Sequence, residues 1–172
     1  MAGNLEFITK QSITTPANNF QITNCFSGKY DFYKIVISKL DVASTSIQRL
    51  RFIKSDDSVD STSNYDYAVN YQRSWGTVLE QRATNGTYID YISSQTNGTE
   101  VGIGLVLYCY NPFDSSSYTF LNFQNSSFMA GSGNRVTKGI GVNTVAQSIT
   151  GFQMFPSSGN YDTLDVVVYG VK

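Results

Sequence analysis

The sequence predicts an all-β fold: a single-domain, antiparallel, jelly-roll-like β-sandwich spanning residues 1–172. Three observations point there. No stretch keeps a 3.6-residue apolar period for a dozen residues, so no amphipathic helix can be placed. Short runs rich in β-branched and aromatic residues follow one another between turn signals. Only three prolines occur, Pro16, Pro112 and Pro156, and none interrupts a run that needs its N–H groups for a ladder. Ser, Thr and Asn are abundant, and all three favour turns and strand surfaces over helix interiors. A chain of 172 residues buries roughly 70% of the surface its unfolded form exposes, so it needs no metal or disulfide staple.

The runs come in order. Residues 5–9 and 19–23 are the first two. Residues 29–40 (KYDFYKIVISKL) are the strongest. In residues 47–53, Gln48, Leu50 and Phe52 share one face and Arg49 and Arg51 the other. In residues 65–73, Tyr65, Tyr67, Val69 and Tyr71 face Asp66, Ala68, Asn70 and Gln72 across the strand. Asn85-Gly86 then separates residues 77–83 from 87–93, and Asn97-Gly98 separates that run from residues 99–110. Asn-Gly suits a type I′ turn, so an antiparallel three-strand meander is expected. Residues 118–123, 135–142, 149–155 and 164–171 complete about a dozen strands, the last two joined by a reversal at 156–160. Residues 55–64 (SDDSVDSTSN) read as an exposed loop. The two-sheet arrangement buries this many short strands at this length.

Composition excludes several functions. Lys plus Arg is 12 and Asp plus Glu is 13, a net charge of −1 with no basic block, which argues against nucleic acid as a partner. No run approaches the roughly 18 apolar residues of a membrane helix. No signal peptide is read at MAGNLEFITK, and no membrane partner is expected. The absence of histidine removes Ser-His-Asp and Cys-His nucleophiles and His-ligated zinc. Cys25 and Cys109 are too few for a four-thiolate site. Two buried thiols are expected, a single disulfide being the alternative. No cofactor or metal is implied, and no enzyme is expected.

The remaining residue clusters have plainer readings. Asp56, Asp57, Asp60 and Asp66 lack the spacing of a calcium loop and read as a solvated loop. Glu80, Asp90 and Glu100 flank the hairpins and would hydrolyse glycosides only if held several ångströms apart. The glycine-rich run from Gly131 to Gly141 lacks a phosphate loop's Gly-Lys-Ser/Thr ending and reads as a loop entering a strand. Sequons at Asn85, Asn97 and Asn125 follow from the Asn, Ser and Thr content. The tyrosine stripe Tyr65, Tyr67 and Tyr71, near Trp75, is either a core face or a contact for a subunit or glycan. In the last strand Leu164, Val166 and Val168 share one side and Val167, Tyr169 and Val171 the other. Its outer face is therefore expected to be covered, by loops or by a neighbouring subunit.

Two segments carry a resemblance. Leu5-Glu-Phe-Ile-Thr is followed by Asn24-Cys-Phe-Ser-Gly-Lys-Tyr30-Asp-Phe-Tyr33-Lys-Ile-Val-Ile37. At the other end stand Ile149-Thr-Gly-Phe-Gln-Met-Phe-Pro156-Ser-Ser-Gly159-Asn and Val167-Val-Tyr169-Gly170-Val. This layout resembles the small β-sandwich virion structural proteins of tailed phages, especially marine and cyanobacterial ones. The resemblance covers the ends and hardly touches the middle. It implies a non-enzymatic virion protein assembled in the host cytoplasm. Head decoration or cementing leads: a homo-oligomer, with a trimer favoured, seated on the major capsid protein or other virion proteins. The alternative is a tail-fibre or receptor-binding tip that contacts host-surface carbohydrate. The expected contact residues are Tyr65, Tyr67, Tyr71, Trp75, Val167 and Tyr169.

Overall fold

The computed structural model describes residues 4–95, 103–129 and 133–172. It is all-β. The strands are β1 (Leu5–Ile13), β2 (Phe20–Ile22), β3 (Phe32–Val42), β4 (Ser46–Lys54), β5 (Tyr65–Arg73) and β6 (Leu79–Gly86). They continue with β7 (Ile89–Gln95), β8 (Ile103–Tyr110), β9 (Thr119–Met129), β10 (Gly133–Asn143), β11 (Ile149–Pro156) and β12 (Tyr161–Val171). Two antiparallel sheets pack together. The larger runs β1-β12-β3-β8-β9-β10-β5-β6 and the smaller β2-β11-β4-β7.

Period-two alternation drives the assembly. β4 buries Gln48, Leu50 and Phe52 and leaves Arg49 and Arg51 half-exposed, as its sequence pattern requires. β3 buries Tyr33, Ile35 and Ile37 in the same way. The largest wholly buried side chains are Tyr33, Tyr65, Tyr161, Phe52 and Phe152, contributed by both sheets.

Three chain segments cross from one sheet to the other at the same seam. β1 and β3 flank β12 in the larger sheet, while β2 and β4 flank β11 in the smaller. The connections β1–β2, β3–β4 and β11–β12 therefore lie side by side. Backbone bonds join them: Ala17 and Tyr161 exchange two, at 3.0 and 2.8 Å, and Ala43 N–H donates to Asn160 O at 2.9 Å. This rolled ribbon gives the sandwich its jelly-roll-like character.

The middle of the chain departs from expectation. β6 pairs with β5 at the edge of the larger sheet, β7 pairs with β4 in the smaller, and β8 lies between β3 and β9. The three do not form a meander. Asn85 does adopt a left-handed φ of 56°, but the turn redirects the chain into the opposite sheet. Asn97-Gly98 lies outside the described residues. The meander that exists is β8-β9-β10. Close approach between the sheets explains one glycine there. A Cβ on Gly141 would come within 2.5 Å of Ile89 Cδ1 on β7.

The loop at 55–64 also departs in part. Asp56 and Asp57 are exposed, but Asp60 is buried. Its carboxylate accepts from Asn143 Nδ2 at 2.9 Å, Gln147 Nε2 at 3.0 Å and Thr62 N–H at 3.1 Å. Burial opposes its ionisation, and these donors outweigh that and hold its pKa below the ordinary value.

Candidate functional site

The outer face of the larger sheet holds a trough of about 1170 Å³ across β8, β9, β10, β5 and β6. Strand register builds it in rows. Val106, Gln124, Lys138, Asn70 and Glu80 are successive cross-strand neighbours, and so are Tyr108, Asn122, Ile140, Ala68 and Arg82. A second hollow of about 500 Å³ continues past Ala68, Arg82, Asn122 and Ile140. Planar amides, tyrosine rings and aliphatic side chains alternate, with Lys138, Glu80 and Arg82 the charged groups of the trough and Asp66 a further one in the second hollow.

β10 is the unusual member of this face. It lies inside the sheet, between β9 and β5. It turns Arg135, Thr137, Gly139 and Gly141 inward and Val136 and Ile140 outward. Ile140 is 58% exposed and Val136 44%, and Phe120 and Phe128 of β9 project on the same side, also exposed. An interior strand ordinarily points its apolar set at the core. Here the pattern is reversed, and the sequence signal was present in Arg135-Val-Thr-Lys-Gly-Ile-Gly-Val142. The alternation in that run marks a strand, and its apolar set falls on the face opposite to Arg135 and Thr137.

The tyrosine stripe faces inward. Tyr65 is fully buried. Its hydroxyl donates to Asp60 O at 3.0 Å and accepts from Phe52 N–H at 2.9 Å. Tyr71 is buried and stacks on Tyr91, with centroids 6.1 Å apart and planes 3° apart. Tyr67 is half-buried against the core. Trp75 stands beyond the end of β5, 43% exposed. Val167 and Tyr169 are half-buried on the outer side of β12, and Phe7 of β1 meets the Tyr169 ring edge-on with centroids 6.2 Å apart. The structure thus brings Tyr71 and Trp75 to one end of the sandwich and leaves Val167 and Tyr169 at the other side of the larger sheet.

Two arginines join that end. Arg135 stands over the Tyr71 ring at 3.8 Å, and Arg73 lies 5.3 Å from Tyr71 and 5.5 Å from Trp75. Arg135 is 4% exposed, and burial lowers its pKa, with the neighbouring Arg73 charge adding to that.

The remaining candidates are dispersed. Glu80 lies on the outer face of the larger sheet. Asp90 belongs to the smaller sheet and pairs with Arg49 at 3.2 Å. These two carboxylates are not brought together as a glycosidase pair, and Glu100 lies outside the described residues. Asp66 accepts the Asn85 N–H at 2.8 Å. Among the described residues no group of three or more Cys, Asp or Glu is placed to hold a metal. The glycine-rich run enters strand β10 as expected, the strand beginning at Gly133, two residues before the expected start at 135. Of the sequons, Asn85 is exposed, Asn125 is buried with its amide donating to Ile92 O at 3.3 Å, and Asn97 lies outside the described residues. Cys25 and Cys109 are both buried and free, and burial pushes both thiol pKa values up.

No family model and no curated protein matches this chain. Among solved structures, it has some similarity to an E230A fructofuranosidase from Schwanniomyces occidentalis complexed with fructosylnystose. That alignment has 9% identity and a TM-score of 0.19, and covers 98% of this chain and 34% of the other. It is likewise similar to the infectious bursal disease virus VP2 subviral particle, at 11% identity and a TM-score of 0.17, covering 99% and 40%. The chain thus spans well under half the length of either.

Proposed function

We propose that this chain is a non-enzymatic virion structural protein of a tailed phage, a head decoration or cement protein. It seats on the major capsid protein as an oligomer, with a trimer favoured, and docks through the outer face of the larger sheet. One observation carries the docking face. The reversed strand β10 presents Val136 and Ile140 to solvent in mid-sheet, where a monomer would turn them inward. A broad, weakly charged face of this kind suits cementing, because apolar burial and hydrogen bonds repeated over many copies add up with less dependence on salt than ion-paired contacts have. The virion reading rests on the resemblance of the end segments. Those segments are neighbours in the fold, with Phe7, Tyr169 and Lys34 in register across β1, β12 and β3.

A second reading, a tail-fibre tip contacting host carbohydrate, draws on the amide-bearing rows Asn70, Asn122 and Gln124. Copy number decides between them. Quantitative mass spectrometry of purified particles is expected to find this chain at a level comparable with the major capsid protein. A small fraction of that level transfers the chain to the tail, and absence from the particle overturns both readings.

A further inference from the structure

We propose that Arg73 and Arg135, at the Trp75 end of the sandwich, form a binding site for an acidic saccharide. The two guanidiniums hold its carboxylate, and Trp75 stacks on a sugar ring. This site is separate from the docking face, since Arg135 points to the inner side of the sheet.

The first argument is charge. Arg135 and Arg73 are direct register partners on adjacent antiparallel strands. Like charges so placed destabilise a sheet unless a counter-charge joins them. Among the described residues neither forms an ion pair; the four ion pairs present involve Lys29, Arg49, Lys54 and Lys172.

The second argument is unmet hydrogen bonding. Among the described residues, Arg135 Nε and Nη2 and Arg73 Nε are buried and meet no hydrogen-bond partner. The Tyr71 ring answers the flat face of each guanidinium but takes none of its in-plane N–H groups. The buried hydroxyl of Ser127, the register partner of Arg135 on β9, also meets no partner among the described residues. A buried donor set of this kind costs free energy until an acceptor arrives. The smaller sheet supplies the contrast. There Arg49 and Arg51 also lie over aromatic rings, but Arg49 Nε donates to Asp90 at 3.2 Å and Arg51 Nε to Thr87 O at 2.9 Å.

The third argument is backbone strain. Tyr91 holds a left-handed φ of 58° within β7, beside a break in the β4–β7 register. A bulky residue there is an outlier that persists only when its surroundings over-determine it, and such outliers gather at binding sites. Its ring stacks flat on Tyr71, the ring that both guanidiniums approach. A planar carboxylate matches the guanidinium fork in bidentate fashion, and the half-exposed Arg73 and exposed Trp75 leave a way in from solvent.

Calorimetric titration with a uronic-acid hexasaccharide tests the site, with a neutral glucose hexasaccharide and sodium sulfate as the two partial ligands. Binding of the uronate is expected. It should weaken tenfold or more in Arg73→Gln and in Trp75→Ala, both at accessible positions, while the neutral sugar does not bind. Arg135→Gln should abolish binding, and Arg73→Gln keeps the test open if that variant fails to fold. The proposal is overturned if the uronate does not bind, if it binds both accessible variants as well as the parent, or if sulfate binds as tightly with Trp75→Ala without effect.

Discussion

The Asp60 carboxylate accepts a hydrogen bond from Asn143 Nδ2 at 2.9 Å, tying a polar loop to the end of β10 across 83 residues of chain. The carboxylate is buried, and its folded pKa lies below the ordinary value of 3.8. A depressed acid contributes stability that is complete above the unfolded pKa and is lost as pH falls through the folded one. Urea unfolding of the parent should therefore weaken as pH drops below about 4. Asp60→Asn should cost about 1–3 kcal/mol at neutral pH and flatten that acid limb. An unchanged acid limb in the variant would assign it to other carboxylates.

Tyr65 closes the same region from the core side. Tyr65→Phe removes the hydroxyl that bridges Phe52 N–H and Asp60 O, leaving a buried donor unpaired. A loss of about 1–3 kcal/mol is expected in chemical denaturation, with no change in any ligand or assembly assay. Weakened assembly at parental stability would return this residue to the contact surface.

Gly141 allows β10 to sit close on Ile89. Gly141→Ala forces a Cβ to within 2.5 Å of Ile89 Cδ1, a wholly buried side chain. Overpacking of this kind costs about 1–3 kcal/mol, to be read as a lowered Tm. Ile89→Val in the same chain should recover part of it.

Ile140 is the probe of the docking face. Ile140→Glu places a charge at an exposed position, so the isolated chain should keep its stability to within about 0.5 kcal/mol. Incorporation into particles, measured by mass spectrometry, should fall sharply. Normal incorporation would move the docking surface elsewhere.

Cys25 and Cys109 are both buried and free, with thiol pKa values raised by desolvation. An aromatic disulfide reagent should find no reactive thiol in the native protein and two after denaturation without reductant. Fewer than two in the denatured, unreduced chain would reveal a disulfide.

Which residues form strands, and which of them share a face, follows from local sequence pattern. Alternation in residues 47–53 and 65–73 grouped Leu50 with Phe52, and Val69 with Tyr65 and Tyr71, on single faces that the structure turns inward, because side-chain period along an extended chain is a local property. The site was legible only in part. Tyr71 and Trp75 stood out as aromatics, but the arginines that complete their cluster come from positions 73 and 135, joined only by the β5–β10 pairing. Tertiary structure decided which strands became neighbours. Asn85-Gly86 reports a left-handed turn and nothing about whether the next strand pairs back or crosses to the other sheet. Tertiary structure likewise buried Asp60 and turned Val136 and Ile140 outward. Those outcomes depend on donors and neighbours far away in sequence, and the free energy of burying a group is set by the partners that meet it.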